Sequence, residues 1–207
     1  PNPELLEIPS QRLASVGMVC DGVGGHAGGE TASRAAVEAI AGYVTNTMQC
    51  LLAPAEAGDG TLLDALRDGA RRTHELIAGR ARESGERQGM ATTITMLVAC
   101  WPALYLLQVG DSRCYRLRGD NLQPLTRDQT MAQDLVDSGV LKPEQAARSP
   151  YAHVLSSSLG GSAWTPEVSV ADLEPYDVLL LCTDGLNKHV PDELIRRRLM
   201  EMEASEQ

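Results

Sequence analysis

The sequence predicts an α+β domain, in which a block of antiparallel strands is laid beside a pair of antiparallel helices, and three observations carry that expectation. From Thr92 to Ala99 apolar and hydroxyl residues alternate with a period of two, and Trp101-Pro102 turns the chain into Leu104 to Val109, the pattern of a hairpin. Two stretches, 30–52 and 61–83, place Ala, Leu and Ile at helical spacing on either side of a Pro- and Gly-containing break at 53–60. With 207 residues, 43% of them apolar and 22% charged, the chain has enough apolar surface for one core, and its blocked order of helices and strands suits α+β layering.

Composition narrows the function. The balance of 18 basic against 28 acidic residues gives a net charge of −10, which disfavours binding to phosphate backbones, so no nucleic-acid partner is expected. The longest apolar runs, such as Leu179 to Cys182, fall far short of the ~20 residues of a membrane helix. No membrane association is expected, and the chain reads as a soluble, cytoplasmic protein. Its five cysteines are widely spaced, mostly within apolar strands, and read as buried free thiols of a reducing compartment. Phe is absent and aromatics are only 3%, so the core must be aliphatic.

Each element follows from its local pattern. A polar lead-in over 1–11 precedes a buried strand, Ala14 to Cys20, which runs into Asp21-Gly22. A glycine-rich stretch to Gly29 opens the first long helix, and the second follows the break. After the hairpin, Ser112 to Arg118 reads as a third strand and Leu122 to Leu125 as its return, so one antiparallel meander is expected. An irregular insertion from Thr126 to about Pro150 contains two short helical patterns, 131–138 and 143–148. Strands are expected at 154–159, 167–173 and 177–183, and a last helix from Pro191 to about Glu203.

Three aspartates share one setting: Asp21, Asp111 and Asp184 each follow the end of an apolar strand. Singly, each would be read as a turn or cap residue. Brought to one sheet edge, they would form a site of three like charges with Arg113 as the nearby cation in sequence. Such a set is stable only when protonated or bound to metal, and its hard oxygen donors select Mg²⁺, Mn²⁺ or Ca²⁺ over zinc. The glycine stretch lacks the Gly-Lys-Ser/Thr ending of a P-loop. It satisfies a dinucleotide fingerprint through Gly22, Gly24 and Ala27, but Asp21 adjoins the place where a pyrophosphate would lie. A nucleotide-binding domain would show adenine-nucleotide binding that needs no divalent metal.

Five motifs in order carry a resemblance. Asp21-Gly22-Val23-Gly24-Gly25-His26-Ala27-Gly28-Gly29-Glu30, Gly89-Met90-Ala91-Thr92-Thr93, Val109-Gly110-Asp111-Ser112-Arg113, Leu125-Thr126-Arg127-Asp128 and Thr183-Asp184-Gly185-Leu186 together resemble a bacterial type 2C, metal-dependent serine/threonine protein phosphatase over roughly residues 14–200. The resemblance implies a four-layer α-β-β-α sandwich of two antiparallel sheets flanked by paired antiparallel helices. It implies a protein-serine/threonine phosphatase of signal transduction, with two or three Mn²⁺ or Mg²⁺ ions and with phosphoproteins, the products of a Ser/Thr protein kinase, as substrates.

By the same resemblance Asp21 would bridge two metals, Gly22 would offer its carbonyl to one, and Asp184 would ligate the other. Asp111 with Asp184 would hold a third, weaker ion. Family members place a His two residues after the bridging Asp, where this chain has Val23, so His26 is the candidate proton donor, with helix entry or a hydrogen bond to the loop as its other reading. Residues 131–161 match the family's flap. The implied reaction is direct attack on phosphorus by a hydroxide shared between two metals. The family's Arg and acidic residue on a preceding strand, and its C-terminal Asp-Asn pair, have no match here. The chain, residues 1–207, is therefore expected to be a single phosphatase-like domain without its terminal strands, a portion of a longer protein. The alternative is a phosphatase-like regulatory or binding module without turnover.

Overall fold

The computed structural model describes residues 14–23, 26–51, 59–83 and 90–206. Nine strands occur in it: β1 (Ala14–Val19), β2 (Gly22–Val23), β3 (Ala91–Thr92), β4 (Ile94–Cys100), β5 (Ala103–Val109), β6 (Arg113–Arg118), β7 (Asn121–Pro124), β8 (Glu167–Asp172) and β9 (Val178–Cys182). Six helices accompany them: α1 (His26–Leu51), α2 (Asp59–Glu83), α3 (Met131–Asp137), α4 (Pro143–Ala146), α5 (Asp184–Asn187) and α6 (Asp192–Glu206). The strands form sheets of order β1-β4-β5-β8 and β7-β6-β9, with β2-β3 as a short ribbon. Every ladder among the described residues is antiparallel, which removes the parallel βαβ unit a dinucleotide-binding fold needs.

The expected single meander is therefore split. The β4-β5 hairpin belongs to the first sheet, whereas β6 and β7 pair with β9 in the second. The chain crosses between sheets at Gly110-Asp111-Ser112, where Gly110 has φ +105° and a Cβ would lie 2.5 Å from Thr93 Cγ2. The split was hidden because β4 and β5 are buried on both faces, so neither face reads as solvent-facing.

One face of this hairpin meets the helices. Ile94, Met96 and Val98 of β4 and Leu107 and Val109 of β5 pack with Ala32, Ala36 and Ile40 of α1 and Leu66, Ala70 and Ile77 of α2. Residues 32, 36 and 40 recur every four positions and 66, 70 and 77 follow at steps of four and seven, so one stripe of each helix is buried. Alanines on α1 let it approach closely. The other face supplies Leu97, Leu104 and Leu106, which pack between the sheets with Cys114, Leu125, Leu179 and Leu181. Outside the second sheet lies α6: Asp192 accepts a hydrogen bond from the Tyr115 hydroxyl at 3.1 Å, and Ile195 is buried. The order of layers is α-β-β-α.

Two boundaries differ from the sequence expectation. Helix α1 begins at His26, four residues before Glu30, because the glycines fold into its first turn. Residues 154–159 form no strand; Leu155 and Leu159 make only single bridges, to Thr130 and Thr92. Cys20, Cys100, Cys114 and Cys182 are in no disulfide, as expected, and burial pushes Cys20 and Cys114 up to about 12; the Cys50 side chain lies outside the described residues.

The loop after Leu159 is pinned to α2. The Gly160 amide donates to His74 Nδ1 at 3.1 Å, and the His74 ring stacks on Trp164 with centroids 4.5 Å apart. Burial holds the His74 pKa below its ordinary value, with Arg82 acting the same way against Glu75, so the neutral ring is the native form. A group whose folded pKa is depressed below 6.5 leaves stability unchanged above that pH and removes it as pH falls through the window beneath, because the unfolded chain then binds the proton more readily. Urea unfolding at about pH 7.5 and about pH 5.5 should show this loss, and His74→Gln should reduce the difference between the two. In the core between the sheets, Leu97→Ala should lower unfolding free energy by about 2–5 kcal/mol, read from the same titrations.

Candidate active site

The structure gathers the sequence-predicted residues at one end of both sheets. Asp21 follows β1, Gly22 starts β2, Asp111 lies in the crossing between sheets, and Asp184 opens α5 after β9. These four residues border one cavity of about 280 Å³ together with Val23, Thr93, His153 and Leu155. His26 opens α1, but its side chain lies outside the described residues.

Thr92 and Thr93 explain why Asp21 stands where it does. The Asp21 amide donates to Thr93 Oγ1 at 2.9 Å, while the Asp21 carbonyl accepts from the Thr93 amide at 2.8 Å and from the Thr92 hydroxyl at 2.9 Å. Thr93 Oγ1 also lies 2.8 Å from Ser112 Oγ, so the same hydroxyl ties the Asp21 turn to the Asp111 turn. Beneath it, Thr95 Oγ1 lies 2.6 Å from Gln108 Oε1 and 2.7 Å from the Ser112 carbonyl, and Gln108 Nε2 donates to the carbonyls of Gly110 and Ser112, both at 2.8 Å. These polar groups are buried, and each is paired.

Gly22 has a steric reason to be glycine. A Cβ there would lie 2.2 Å from the carbonyl oxygen of Gly29, because the first turn of α1 is pressed against β2. Close approach of these two backbones keeps the Gly22 main chain on the cavity wall.

The electrostatics correct one sequence expectation. Arg113 is not the cation of the cluster: its Nε and Nη2 make a two-point pair with Asp128 at 2.7 Å each, and its Nη1 donates to the Tyr115 hydroxyl. The cation is Lys188. Its ammonium contacts Asp184 directly and lies 3.7 Å from Asp111. Burial and a hydrogen bond with Asp184, reinforced by the charges of Asp184 and Asp111, push the Asp21 carboxyl up to about 6. Burial also raises Asp111, against the pull of Lys188. Burial works upward on Asp184 as well, but hydrogen bonds with Lys188 and Asp21 hold it below the usual carboxylate range.

Carboxylates are the donors that hard divalent cations take, and Asp21, Asp111 and Asp184 line the cavity with no thiol among its described lining residues. The donor set thus fits such ions in its chemistry. Among the described residues no three His, Cys, Asp or Glu side chains are already drawn into a metal-binding group, and Lys188 stands close to both Asp184 and Asp111.

Beyond Asp111 and His153 the cavity adjoins a groove of about 540 Å³, walled by Thr130, Gln133 and Ala146 on one side and by Asn187 and His189 on the other. Its base is braced to the site. Gln129 accepts from the Gly110 amide at 2.9 Å, donates its own amide to the Gly110 carbonyl and its Nε2 to the Thr165 carbonyl, while Asp128 holds Arg113. Thr93, Gln129, His153 and Lys188 carried no role in the sequence reading. Lys188 had a legible signal, standing four residues after Asp184 at helical spacing.

This is a four-layer α-β-β-α sandwich with a carboxylate-walled cavity at the shared end of its sheets. The chain belongs to the protein phosphatase 2C family, whose model matches residues 8–205. It is 35% identical over 188 residues to the serine/threonine protein phosphatase PstP of Mycobacterium tuberculosis, covering 91% of this chain and 35% of PstP. It is 30% identical over 176 residues to the serine/threonine phosphatase stp of Listeria welshimeri, covering 84% of this chain and 68% of that protein. The chain thus spans about a third of the length of PstP. Among solved structures it resembles the catalytic domain of PstP in complex with two manganese ions, with a TM-score of 0.72 at 33% identity over 90% of this chain and 77% of that one. Stp1 from Staphylococcus aureus matches with a TM-score of 0.76 at 28% identity, over 89% and 70% of the two chains.

Removing the shared hydroxyl tests the hub. Thr93→Val strips the Asp21 amide and Ser112 of their partner in a buried place and should cost about 1–3 kcal/mol, read from urea unfolding against the parent.

Proposed function

We propose that this protein is a divalent-metal-dependent protein phosphatase acting on phosphoserine and phosphothreonine, with Asp21, Gly22 and Asp184 as metal-binding residues. The observation that supports this best is the meeting of Asp21, Gly22, Asp111 and Asp184, from four separate segments, on one small cavity. Family membership and the manganese in the PstP structure point the same way. Asp21, Gly22 and Asp184 would hold the divalent ions between them, all three lining the same cavity. Divalent ions bound there supply the positive charge that lowers the pKa of a water and offsets charge on phosphoryl oxygens.

The protein's own groups do the rest. Thr92 and Thr93 hold the Asp21 main chain from both sides, so its carboxylate is positioned before any ligand arrives. His153 lines the cavity, and among the described residues there it is the one whose side chain would give a proton to the departing serine or threonine oxygen. The adjoining groove would receive residues flanking the phosphorylated one, which makes the segment 131–161 the determinant of substrate choice. Substrates would be phosphoproteins, made by a Ser/Thr protein kinase.

Hydrolysis of p-nitrophenyl phosphate should require Mn²⁺ or Mg²⁺ and stop on chelation. Asp184→Asn should keep the fold and lower turnover by at least about 100-fold, the scale on which removal of one preorganised electrostatic contact acts. Metal binding without turnover by the parent protein would instead favour a binding module, and full turnover by Asp184→Asn would overturn the site assignment.

A further inference from the structure

We propose that Lys188 is a built-in cation occupying the place between Asp111 and Asp184, so that this protein holds no divalent ion there. The inference rests on the metal reading above and concerns a different part of the same cluster. The resemblance to the family implied a weak ion held by Asp111 and Asp184 together, and this structure fills that gap with an ammonium.

The geometry gives Lys188 its position. It stands four residues after Asp184, the C-cap of the short α5, and its own amide donates to the Asp184 carbonyl at 3.1 Å. The helical spacing points its side chain back over Asp184. Its Nζ contacts the Asp184 carboxylate and lies 3.7 Å from Asp111 Oδ2, while the Lys188 side chain is only 28% exposed and that of Asp111 only 8%. The ammonium is therefore fixed between two carboxylates and largely withdrawn from water, where a single positive charge interacts far more strongly than on the surface. A cation brought within ligand distance of both Asp111 and Asp184 would meet Lys188 there and would have to displace it, at the cost of repulsion between like charges.

The two halves of the cluster consequently differ. Asp111 and Asp184 already share a counterion close by, whereas Lys188 reaches Asp21 only through its longer-range charge. Divalent ions are thereby directed to the Asp21 side, and the Asp111 side keeps a charge that does not depend on metal concentration. Lys188 acts through Asp111 and Asp184, as a positioning residue.

The test counts ions rather than turnover. Mn²⁺ binding to the full chain would be followed by isothermal titration and by electron paramagnetic resonance of free Mn²⁺, for the parent, Lys188→Met and Lys188→Arg. Met keeps the aliphatic stem and removes the charge; Arg keeps the charge. The expected result is one more ion bound per chain in Lys188→Met than in the parent, the parent count in Lys188→Arg, and loss of the extra ion in Lys188→Met with Asp111→Asn. An equal count in the parent and Lys188→Met would overturn the proposal while leaving the metal site standing, as would an ion in the parent that Asp111→Asn alone removes. Absence of Mn²⁺ binding by every variant would overturn the metal reading itself. Should Lys188→Met fail to fold, as judged by circular dichroism, the effect of Asp111→Asn on the parent count decides the matter.

Discussion

Three carboxylates in a cavity of about 280 Å³ repel one another, and much of the architecture at this end of the molecule can be understood as the means of holding them there. Desolvation makes the problem worse, because a carboxylate withdrawn from water loses hydration that its neighbours of the same sign cannot replace. The structure answers with different devices for different parts of the cluster. Burial and the neighbouring Asp184 and Asp111 raise the Asp21 carboxyl, so that it takes a proton more readily, and Lys188 lies beside Asp184 and Asp111. The first device is removable and the second is covalently part of the chain. A proton on a carboxylate and a cation beside it meet the same electrostatic demand, since either one offsets the repulsion among like charges.

Holding the carboxylates also demands a rigid floor, and the floor is polar. Between the sheets the packing is aliphatic where Leu97, Leu106 and Leu181 meet, then changes within one or two residues to Thr93, Thr95, Gln108 and Ser112. Such groups could not be buried unpaired without a penalty of about 1–3 kcal/mol each. Their mutual hydrogen bonds, together with the main-chain bonds of Asp21 and Gly110, satisfy them and fix how the two sheets are set against each other. A purely apolar interface would pack but could slide; a satisfied polar network admits one register. The site and the docking of the sheets are thus one structure seen from two sides.

Much of this could be read from the residues, and the omissions have physical causes. Strand-end aspartates and the helical stripes of α1 and α2 were visible because alternation and helical spacing leave marks in a linear sequence. The division into two sheets was not visible, since β4 and β5 bury both faces and the chain crosses between sheets in the three residues Gly110 to Ser112. Arg113 looked like the neighbouring cation because it is two residues from Asp111, yet Asp111 lies in the crossing between the sheets while Arg113 starts β6, and its guanidinium reaches Asp128 instead. Lys188 is 77 residues from Asp111 and comes near it only because β6 pairs with β9, placing Arg113 opposite Cys182.

The same pairing explains how the groove and the cavity are coupled in space. β6 leaves the Asp111 turn, and through Arg113 it grips Asp128 at the start of the segment that forms one wall of the groove. Gln129 then binds Gly110 on one side and the Thr165 carbonyl on the other, so both ends of that segment are tied to the turn that carries Asp111. Between those ties the wall is made of the short helices α3 and α4 and exposed turns, with Val140 and Tyr151 open to solvent. Its anchor points are constrained by the chemistry next to them, whereas its middle is free to vary without disturbing Asp111. The exposed positions of α3 and α4 can therefore vary while the Asp111 turn stays in place, because the bonds that fix that turn lie at Asp128 and Gln129, before these helices.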